Sequence, residues 1–397
     1  MTVPTPKPAP DLHIPTSAST VSVSIINTTT SLRGIPAGMF FSPSIPGHTW
    51  LGAPAYSFLI QHPTTNRTLV FDLGVRKDIQ NFSPTILNSL KAAGFSLDYE
   101  GTVKHGVREI LDAGGVDTAA VEAIIWSHYH FDHTGDPSTF DPATKLIVGP
   151  GFKEHLLPGY PANPASPILE TDYTGRELVQ LDFDDSNGAW KTLTIGRFRA
   201  IDYFGDGSFY LLDAPGHAIG HVCGLARVTS VQAGEGDSFI FMGGDAFHHA
   251  GEVRPSAYLP LPDEISPSPL VPVHACGGTK CAGAMFEALL ADSDRTKTFY
   301  TPSNPPGSTG RPHHNPEEGV RTIGKVQEGD AHDNVFVVAA HDETLLDVVD
   351  FFPATANDFV KKGWVEKARW LFLRDFADAV GYQGEKAWRA NSEWAPV

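Results

Sequence analysis

Short apolar runs, each ended by a turn, recur along the chain. Residues 56–61 and 67–72 alternate apolar and polar positions on either side of the stretch His62-Pro-Thr-Thr-Asn66, which predicts a β-hairpin. Six further runs of the same kind predict strands at 123–126, 145–148, 209–212, 222–228, 239–242 and 335–339. These strands are spread over most of the chain and show no repeat.

Helical signals lie between these strands. Ser83 and Pro84 precede residues 85–93, and Gly94 follows them, which gives a cap, a first-turn proline and a terminal glycine. Residues 105–113, which end before Gly114-Gly115, predict a second helix, and residues 357–376 have helical spacing of apolar positions. Strands interspersed with helices predict an α/β fold of packed layers.

Two segments depart from this pattern. Residues 1–20 are rich in proline, which predicts an extended tail that packs on the surface or stays mobile. Residues 251–330 are rich in Pro, Gly and Ser, and we interpret them as an insertion with a little helix near 282–291. The main domain would then comprise residues 21–250 and 331–397.

Composition narrows the class of protein. The chain has 397 residues, with 46 acidic and 29 basic side chains and a formal net charge of −17. No Lys/Arg run offsets this charge, so nucleic acid is not an expected partner, whereas divalent cations are suited to it. The sequence has no signal core and no run that could span a bilayer, so we predict a cytoplasmic protein without a membrane partner.

Side chains that can bind metals follow four of the predicted strands. The stretch SHYHFDHTGD places four such side chains within positions 128–133, and single ones follow the strands at 209–212, 239–242 and 335–339. The seven donors are His128, His130, Asp132, His133, His217, Asp245 and His341. Seven donors are too many for one tetrahedral ion and suit two ions that share a carboxylate. Imidazole and carboxylate donors favour Zn²⁺, with Mn²⁺, Fe²⁺ or Co²⁺ as alternatives.

The stretch His128-Tyr-His130-Phe-Asp132-His133 resembles the HxHxDH signature of the metallo-β-lactamase fold superfamily. Four further motifs match in the family order over roughly residues 56–347: Asp72 in FDLG, His217 in APGHAIGH, Asp245 in MGGDA and His341 in AAHDE. The resemblance implies an αββα sandwich of two mixed β-sheets flanked by helices, with a dinuclear site at one edge of the sheets.

The resemblance also implies a role for each donor. His128, His130 and His217 would hold one ion, and Asp132, His133 and His341 the other. Asp245 would bridge the two ions, and Asp72 would orient the ligands by hydrogen bonds.

The motif pattern is most similar to that of N-acyl-homoserine lactone lactonases and related lactone or lactam hydrolases. In those enzymes a Tyr that contacts the substrate carbonyl lies three residues after the bridging Asp; this chain has His248 there. The implied reaction on a small-molecule substrate is attack by a metal-bridging hydroxide on a small cyclic ester or lactam. His248 would stabilise the carbonyl oxygen, and Asp132 would relay a proton to the leaving group.

Two other functions remain open at this point. A glyoxalase II-like thioesterase would have the same metal ligands and would use late basic residues, for which Lys361, Lys362, Lys367 and Arg369 are candidates. A protein that binds metals without hydrolysing a substrate is the second alternative. The oligomeric state is not predicted.

The remaining histidines and cysteines require separate interpretations. We expect His221 to be packed and hydrogen-bonded rather than a ligand, and one of His248 and His249 to face the site. His313-His314 is interpreted as a solvated loop. The three cysteines, Cys223, Cys276 and Cys281, are too few for a disulfide framework and are interpreted as free thiols. His274, Cys276 and Cys281 form either an accessory metal site or a loop with buried thiols. The insertion at 251–330 is predicted to cover the active site, and four of its residues are predicted to line the substrate pocket, namely Tyr258, Leu259, Leu261 and Phe286.

Overall fold

The computed structural model describes residues 4–30, 32–94, 103–186, 188–271, 279–304, 312–386, 388, 393 and 395. Its strands are β1 (Ser22–Asn27), β2 (Phe41–Ser42), β3 (Tyr56–His62), β4 (Arg67–Phe71), β5 (Val121–Ile125), β6 (Lys145–Val148), β7 (Leu178–Gln180), β8 (Thr192–Ile195), β9 (Phe198–Asp202), β10 (Phe209–Asp213), β11 (Val222–Thr229), β12 (Ser238–Met242), β13 (Glu264–Ile265), β14 (Cys281–Ala282), β15 (Thr301–Pro302) and β16 (Val335–Val338).

The described helices are mostly short. The α-helices are α1 (Pro84–Ala93), α2 (Val107–Ala113), α3 (Phe131–Thr134), α4 (Phe152–Leu156), α5 (Glu170–Tyr173), α6 (Ala284–Glu287), α7 (Pro316–Asp330), α8 (Phe359–Lys362) and α9 (Trp364–Arg369). Single 3₁₀ turns span Ala37–Met39, Ile79–Asn81, Thr118–Ala120, Pro137–Thr139, Val231–Ala233, Ala250–Glu252, Ala291–Ser293, Glu343–Asp347 and Leu371–Phe376. None of the helices in the described ranges combines the length and apolar character needed to cross a bilayer.

Two six-stranded mixed sheets form the centre of the fold. The first has the order β1-β3-β4-β5-β6-β7 and the second the order β16-β12-β11-β10-β9-β8. Phe58 and Ile125 of the first sheet pack in one apolar cluster with Leu211 and Ile240 of the second, so the sheets face each other. The outer face of the first sheet packs against α2 and α4, and that of the second against α7. The αββα sandwich is confirmed.

The local predictions for the first half of the chain are also confirmed. β3 and β4 pair antiparallel, with Phe58 opposite Phe71, as the predicted hairpin requires. The Ser83 hydroxyl accepts from the amide of Ile86 and caps α1, and Gly94 ends this helix with φ 77°. The predicted helix at 357–376 is instead divided into α8, α9 and a 3₁₀ turn, because Gly363 adopts φ 66°.

The N-terminal tail packs against the second sheet. Residues 4–20 form no helix or strand, but their backbone carbonyls accept hydrogen bonds from the body of the protein. The Pro10 carbonyl accepts from His332 Nε2 at 2.8 Å, and the Pro15 carbonyl accepts from the Arg227 guanidinium at 2.5 Å. Of the two predicted alternatives, packing on the surface is the observed one.

Helix α7 corrects the interpretation of residues 251–330. The only helix predicted there corresponds to the short α6, whereas α7 has 15 residues and buries Ile323 and Val326 against the second sheet. Its apolar pattern is weak because Gly319, Gly324 and Gly329 occupy three of its positions. Its start signal was nevertheless in the sequence, since Asn315 caps the helix and Pro316 is its first residue.

Helix α7 also connects two neighbouring parallel strands. β12 pairs with β16 in parallel, and the register places Met242 opposite Val338. A parallel pair needs a long crossover, and a helix on the outer face is its usual form. The carboxyl ends of these two strands therefore lie side by side at one edge of the second sheet.

Candidate metal centre

The loop after β5 holds four of the predicted ligands in a fixed arrangement. Trp126, the first residue after the strand, is buried, and its indole N–H donates to the Thr134 carbonyl at 3.1 Å. This bond connects the start of the loop to the end of α3, a single helical turn. His128 and His130 therefore lie in the loop, whereas Asp132 and His133 lie on the turn that follows it.

The other three ligands come from the second sheet. His217 follows β10 through Gly216, whose φ is 130° and where a Cβ would lie 2.3 Å from the Gly319 amide nitrogen. Only glycine allows this approach of the loop to α7. Asp245 and His341 each lie three residues beyond the paired residues Met242 and Val338, so the strand register brings them together.

The seven donors converge in two groups. Nε2 of His217 lies 3.1 Å from His128 Nε2, 2.9 Å from His130 Nδ1 and 3.3 Å from Asp245 Oδ2. On the other side, Asp245 Oδ1 lies 3.0 Å from His133 Nε2 and 3.1 Å from His341 Nε2. Asp132 Oδ2 completes this second group at 3.5 Å from His341 Nε2. One carboxylate, that of Asp245, thus contacts both groups.

The tautomers of these histidines show that the donor groups fit metal ions. His341 Nδ1 lies 2.6 Å from the Pro54 carbonyl, which can only accept, so Nδ1 carries the proton and Nε2 presents a lone pair. That lone pair faces the anionic Asp245 at 3.1 Å. His133 Nε2 and Asp245 Oδ1 are likewise buried without a hydrogen-bond partner among the described residues. A divalent cation between such donors would satisfy all of them.

Burial and mutual charge set the protonation of the site. Burial lowers the pKa of His128 and of His217 well below the usual range, so both imidazoles are neutral, as metal ligands must be. Burial opposes the charge of Asp245, but His133, His341 and His248 together hold the pKa of this carboxyl well below its usual range. Although burial opposes it, the charge of Asp245 raises the pKa of His133 and of His341, so a metal ion bound at the Nε2 atoms of these two rings would compete with a proton.

Asp72 supports the site from behind. Its Oδ1 accepts from the Ser127 amide at 2.6 Å, and its Oδ2 lies 2.7 Å from Ser127 Oγ and 2.8 Å from His133 Nδ1. Burial raises the pKa of Asp72, although its hydrogen-bond partners oppose this effect. A carboxylate that holds the second ring nitrogen of a ligand histidine fixes its orientation, which is the role we predicted for Asp72.

The histidines beside the ligands divide into two kinds. His221 is packed, as expected: its Nδ1 donates to the Ala214 carbonyl at 3.0 Å, and its Nε2 accepts from the Asp245 amide at 3.0 Å. His249 points away from the centre, towards Asp375 at 3.1 Å. His248 faces the centre, with Nε2 3.2 Å from Asp245 Oδ2.

The prediction that His313 is solvated is wrong. Its side chain is 2% exposed, its Nε2 donates to the Phe40 carbonyl at 2.7 Å, and its ring centroid lies 5.2 Å from that of His248. The Asn304 side chain holds the His313 backbone at both its amide and its carbonyl, which fixes the turn into the protein. His314 is exposed, as expected.

The free-thiol prediction holds for Cys223, which is buried in β11. Cys281 is also a free thiol and is partly buried in β14. His274 and Cys276 lie outside the described residues.

An apolar cavity of about 370 Å³ opens beside the donors. Its walls come from the segment 35–40, one face of α1, Phe131 and Pro312, and its floor contains four of the donors: His130, Asp132, His217 and Asp245. The prediction that four residues of the insertion line the pocket is wrong, because none of the four is among the residues described as lining this cavity. Leu261 and Phe286 are buried instead in a core cluster that also contains the wall residue Ile35.

Comparisons with known proteins identify the family of this chain. Residues 51–231 match the model of the metallo-beta-lactamase superfamily. The chain is 44% identical over 374 residues to "Gamma-lactamase FDB1" of Fusarium pseudograminearum (strain CS3096), covering 92% of this chain and 85% of that one. It is 42% identical over 382 residues to "Metallo-hydrolase mfmC" of Annulohypoxylon moriforme, covering 96% and 94%. A solved quorum-quenching N-acyl homoserine lactone lactonase aligns with a TM-score of 0.48 at 15% identity, over 86% of this chain and 99% of that one.

Fold, donors and relatives together define a metal-dependent hydrolase. The chain belongs to the metallo-beta-lactamase superfamily.

Proposed function

We propose that the protein is a dinuclear metal-dependent hydrolase that opens a small, uncharged cyclic ester or a related lactam. The observation that carries this proposal is the position of Asp245, whose Oδ2 and Oδ1 lie within 3.3 Å and 3.0 Å of histidines from two separate donor groups. One carboxylate between two donor groups is the arrangement by which two ions share a ligand.

Each donor has a role in this proposal. His128, His130 and His217 hold one ion, Asp132, His133 and His341 hold the other, and Asp245 contacts both. Zn²⁺ suits these donors, and Mn²⁺, Fe²⁺ or Co²⁺ are alternatives. When bound, such a pair supplies a hydroxide near neutral pH and polarises a carbonyl.

The protein side chains position the substrate and transfer the proton. Asp132 lines the cavity, so its carboxylate is placed to hold the proton that the leaving oxygen or nitrogen requires. Asp72 acts through His133, because it fixes the Nδ1 proton of that ring and leaves Nε2 free to bind. The sequence prediction for His248 requires a ring N–H that faces the cavity, but both of its ring nitrogens are buried.

The cavity supports a neutral ring as substrate. Its described lining is apolar apart from Asn88, Ser89 and the donors, and none of the residues described there is Lys or Arg. An anionic substrate would therefore find no Lys or Arg side chain among the described lining residues to pair with its charge. The similarity to a protein named a γ-lactamase is consistent with a cyclic amide or ester.

The basic residues that a glutathione thioesterase would require are engaged elsewhere. Lys362 pairs with Asp350 at 2.7 Å, Arg369 pairs with Asp333 at 2.7 Å, and Lys367 donates to a backbone carbonyl. None of them is among the residues described as lining the cavity. The cyclic substrate is therefore the better supported of the two.

Metal analysis combined with a substrate comparison tests this proposal. We expect about two metal ions per chain, and a higher kcat/KM for a γ-lactone or γ-lactam than for S-lactoylglutathione. A protein that stays at one ion under zinc or manganese supplementation would contradict the dinuclear centre. Turnover of the thioester well above that of either ring would contradict the substrate.

A pair of variants on α1 tests whether the cavity binds the ring. Ile86→Asp places a charge on the partly buried cavity wall, so we expect KM to rise about tenfold, or about 1.4 kcal/mol, because binding an apolar ring there would remove water from the charge. Lys91→Asp changes an exposed residue of the same helix that is outside the described lining and should leave KM unchanged. Equal effects of the two substitutions would refute the assignment of the cavity.

A further inference from the structure

A buried carboxylate directs His248 towards the centre. Glu252 Oε2 accepts from the backbone amides of His248 and His249, at 2.7 Å and 3.2 Å, and this caps the 3₁₀ turn Ala250–Glu252. Burial raises the pKa of the Glu252 carboxyl to about 8. The turn places the two neighbouring side chains on opposite sides, His248 beside Asp245 and His249 beside Asp375.

The ring of His248 lies as near to the shared carboxylate as the predicted ligands do. Its Nε2 is 3.2 Å from Asp245 Oδ2, whereas His217 Nε2 and His341 Nε2 are both 3.3 Å from the same oxygen. His248 is also stacked on His341, with an interplanar angle of 12° and 5.9 Å between centroids. The distance of His248 Nε2 from Asp245 and the orientation of its ring therefore resemble those of the predicted ligands.

No other group in the described part of the chain occupies the ring nitrogens of His248. The side chain is buried, and both Nδ1 and Nε2 lack a hydrogen-bond partner among the described residues. His221 is the contrasting case, since a carbonyl and an amide occupy its two ring nitrogens. Burial of a polar atom without a partner is unfavourable. A ring nitrogen in that situation, 3.2 Å from a carboxylate oxygen, is placed to bind a cation together with that carboxylate.

We propose that His248 is an eighth protein ligand of the dinuclear centre and binds one of the ions through Nε2. This inference rests on the proposed function, because it needs the ions that the other seven donors hold. Phe40 and His313 act as positioning residues: their rings lie 4.5 Å and 5.2 Å from that of His248, and they are joined by the bond from His313 Nε2 to the Phe40 carbonyl. The ring is therefore packed in the orientation that binding requires.

Cobalt substitution tests this ligand without relying on turnover. We expect His248→Phe and His248→Gln to change the visible Co²⁺ spectrum and to lower the affinity for one of the two ions by more than about 100-fold. Substitution of a residue that only orients a ligand typically lowers metal affinity by about 10- to 100-fold. Gln keeps a hydrogen-bond donor at this position but is a poor ligand. His249→Phe, a change at the adjacent buried ring, should alter neither the spectrum nor the affinity.

The opposite result assigns His248 to the substrate. If His248→Phe keeps two cobalt ions with an unaltered spectrum and affinity while kcat falls, the residue is a hydrogen-bond donor and the proposal is wrong. If the wild-type protein binds only one ion at saturation, the proposed dinuclear function is wrong. The ligand role of His248 can still be tested in that case, by the change that its substitution causes in the spectrum of the single bound ion.

A measurement on the unaltered protein covers the case in which the variants do not fold. In cadmium-loaded protein with ¹⁵N-labelled histidine, each bound ring nitrogen shows a coupling to ¹¹³Cd. Six coupled histidines are expected if His248 joins the five in the seven-donor set. Five coupled histidines, with His248 uncoupled, would overturn the proposal.

Discussion

The two sheets contribute to the metal centre in different ways. The loop after β5 of the first sheet supplies four donors from six consecutive residues, so their spacing is set by one loop and one helical turn. The second sheet supplies three donors from the ends of three strands, β10, β12 and β16. The first arrangement is local and the second depends on the register of the sheet. A metal site built in this way requires both sheets to be correctly packed.

The register dependence is strongest at Asp245 and His341. Both lie three residues beyond a paired position in neighbouring parallel strands, Met242 and Val338. A slip of one residue would displace one donor by roughly 3.3 Å along the strand and would reverse its side-chain direction. Substitutions in the second sheet can therefore disturb the centre through geometry as well as through chemistry.

The largest expected effect is that of Asp245→Ala. The change removes the carboxylate that contacts both donor groups, so we expect metal content to fall below about one ion per chain and kcat to fall by about 10³-fold or more. Elemental analysis and steady-state kinetics measure the two effects. Glu235→Ala removes an exposed carboxylate that precedes β12; it is the matched control and should keep both ions. A loss of metal in the control would mean that the strand, rather than the carboxylate, is responsible.

A smaller effect is expected from the helix that supports the second sheet. Ile323→Ala removes a buried side chain of α7 and should lower the free energy of unfolding by about 2–5 kcal/mol, while metal content per folded chain is kept. Val320 lies on the same helix and is 47% exposed, so Val320→Ala should change stability by no more than about 0.5 kcal/mol. Denaturant titration measures both. Equal stabilities would show that the packing of α7 on the second sheet contributes little to the stability of the fold.

The smallest effect is expected from His221→Ala. His221 holds the Asp245 amide but gives neither ring nitrogen to the centre, so we expect metal affinity to fall by about 10- to 100-fold, less than for Asp245→Ala. Competition with a chelator measures this change. If the two variants lost metal equally, the choice of His217 rather than His221 as a ligand would be wrong.

The predictable part of the molecule is the part with local signals. The hairpin of β3 and β4, the cap of α1 and the HxHxDH stretch each depend on residues close together in sequence, and each was predicted. The seven predicted donors also converge, because each follows the end of a strand or the turn after it. A strand end is visible in the pattern of apolar residues even when its neighbour in the sheet is not.

The unpredicted part depends on contacts between distant residues. His313 is buried because Asn304 and Phe40 bind it, and nothing in the sequence around His313 indicates either contact. The cavity wall is another case: α1 was predicted, but its position over the donors follows from tertiary packing. α7 was missed for a third reason, since its glycines weaken the helical pattern that its burial requires.

The pairing of β12 with β16 has a consequence for how this enzyme can diversify. Two donors are fixed by hydrogen bonds between strands, whereas the chain between those strands alternates buried residues, such as Leu261 and Phe286, with exposed turns before it returns through α7. The entropy of closing a loop grows only with the logarithm of its length, by about 0.6 kcal/mol for each doubling. Insertions and deletions confined to the exposed turns would therefore cost little stability and leave the donors in register. Because Pro312 and His313 belong to this segment and lie beside the centre, a change of length next to them would alter the cavity without moving the two strands that carry the donors.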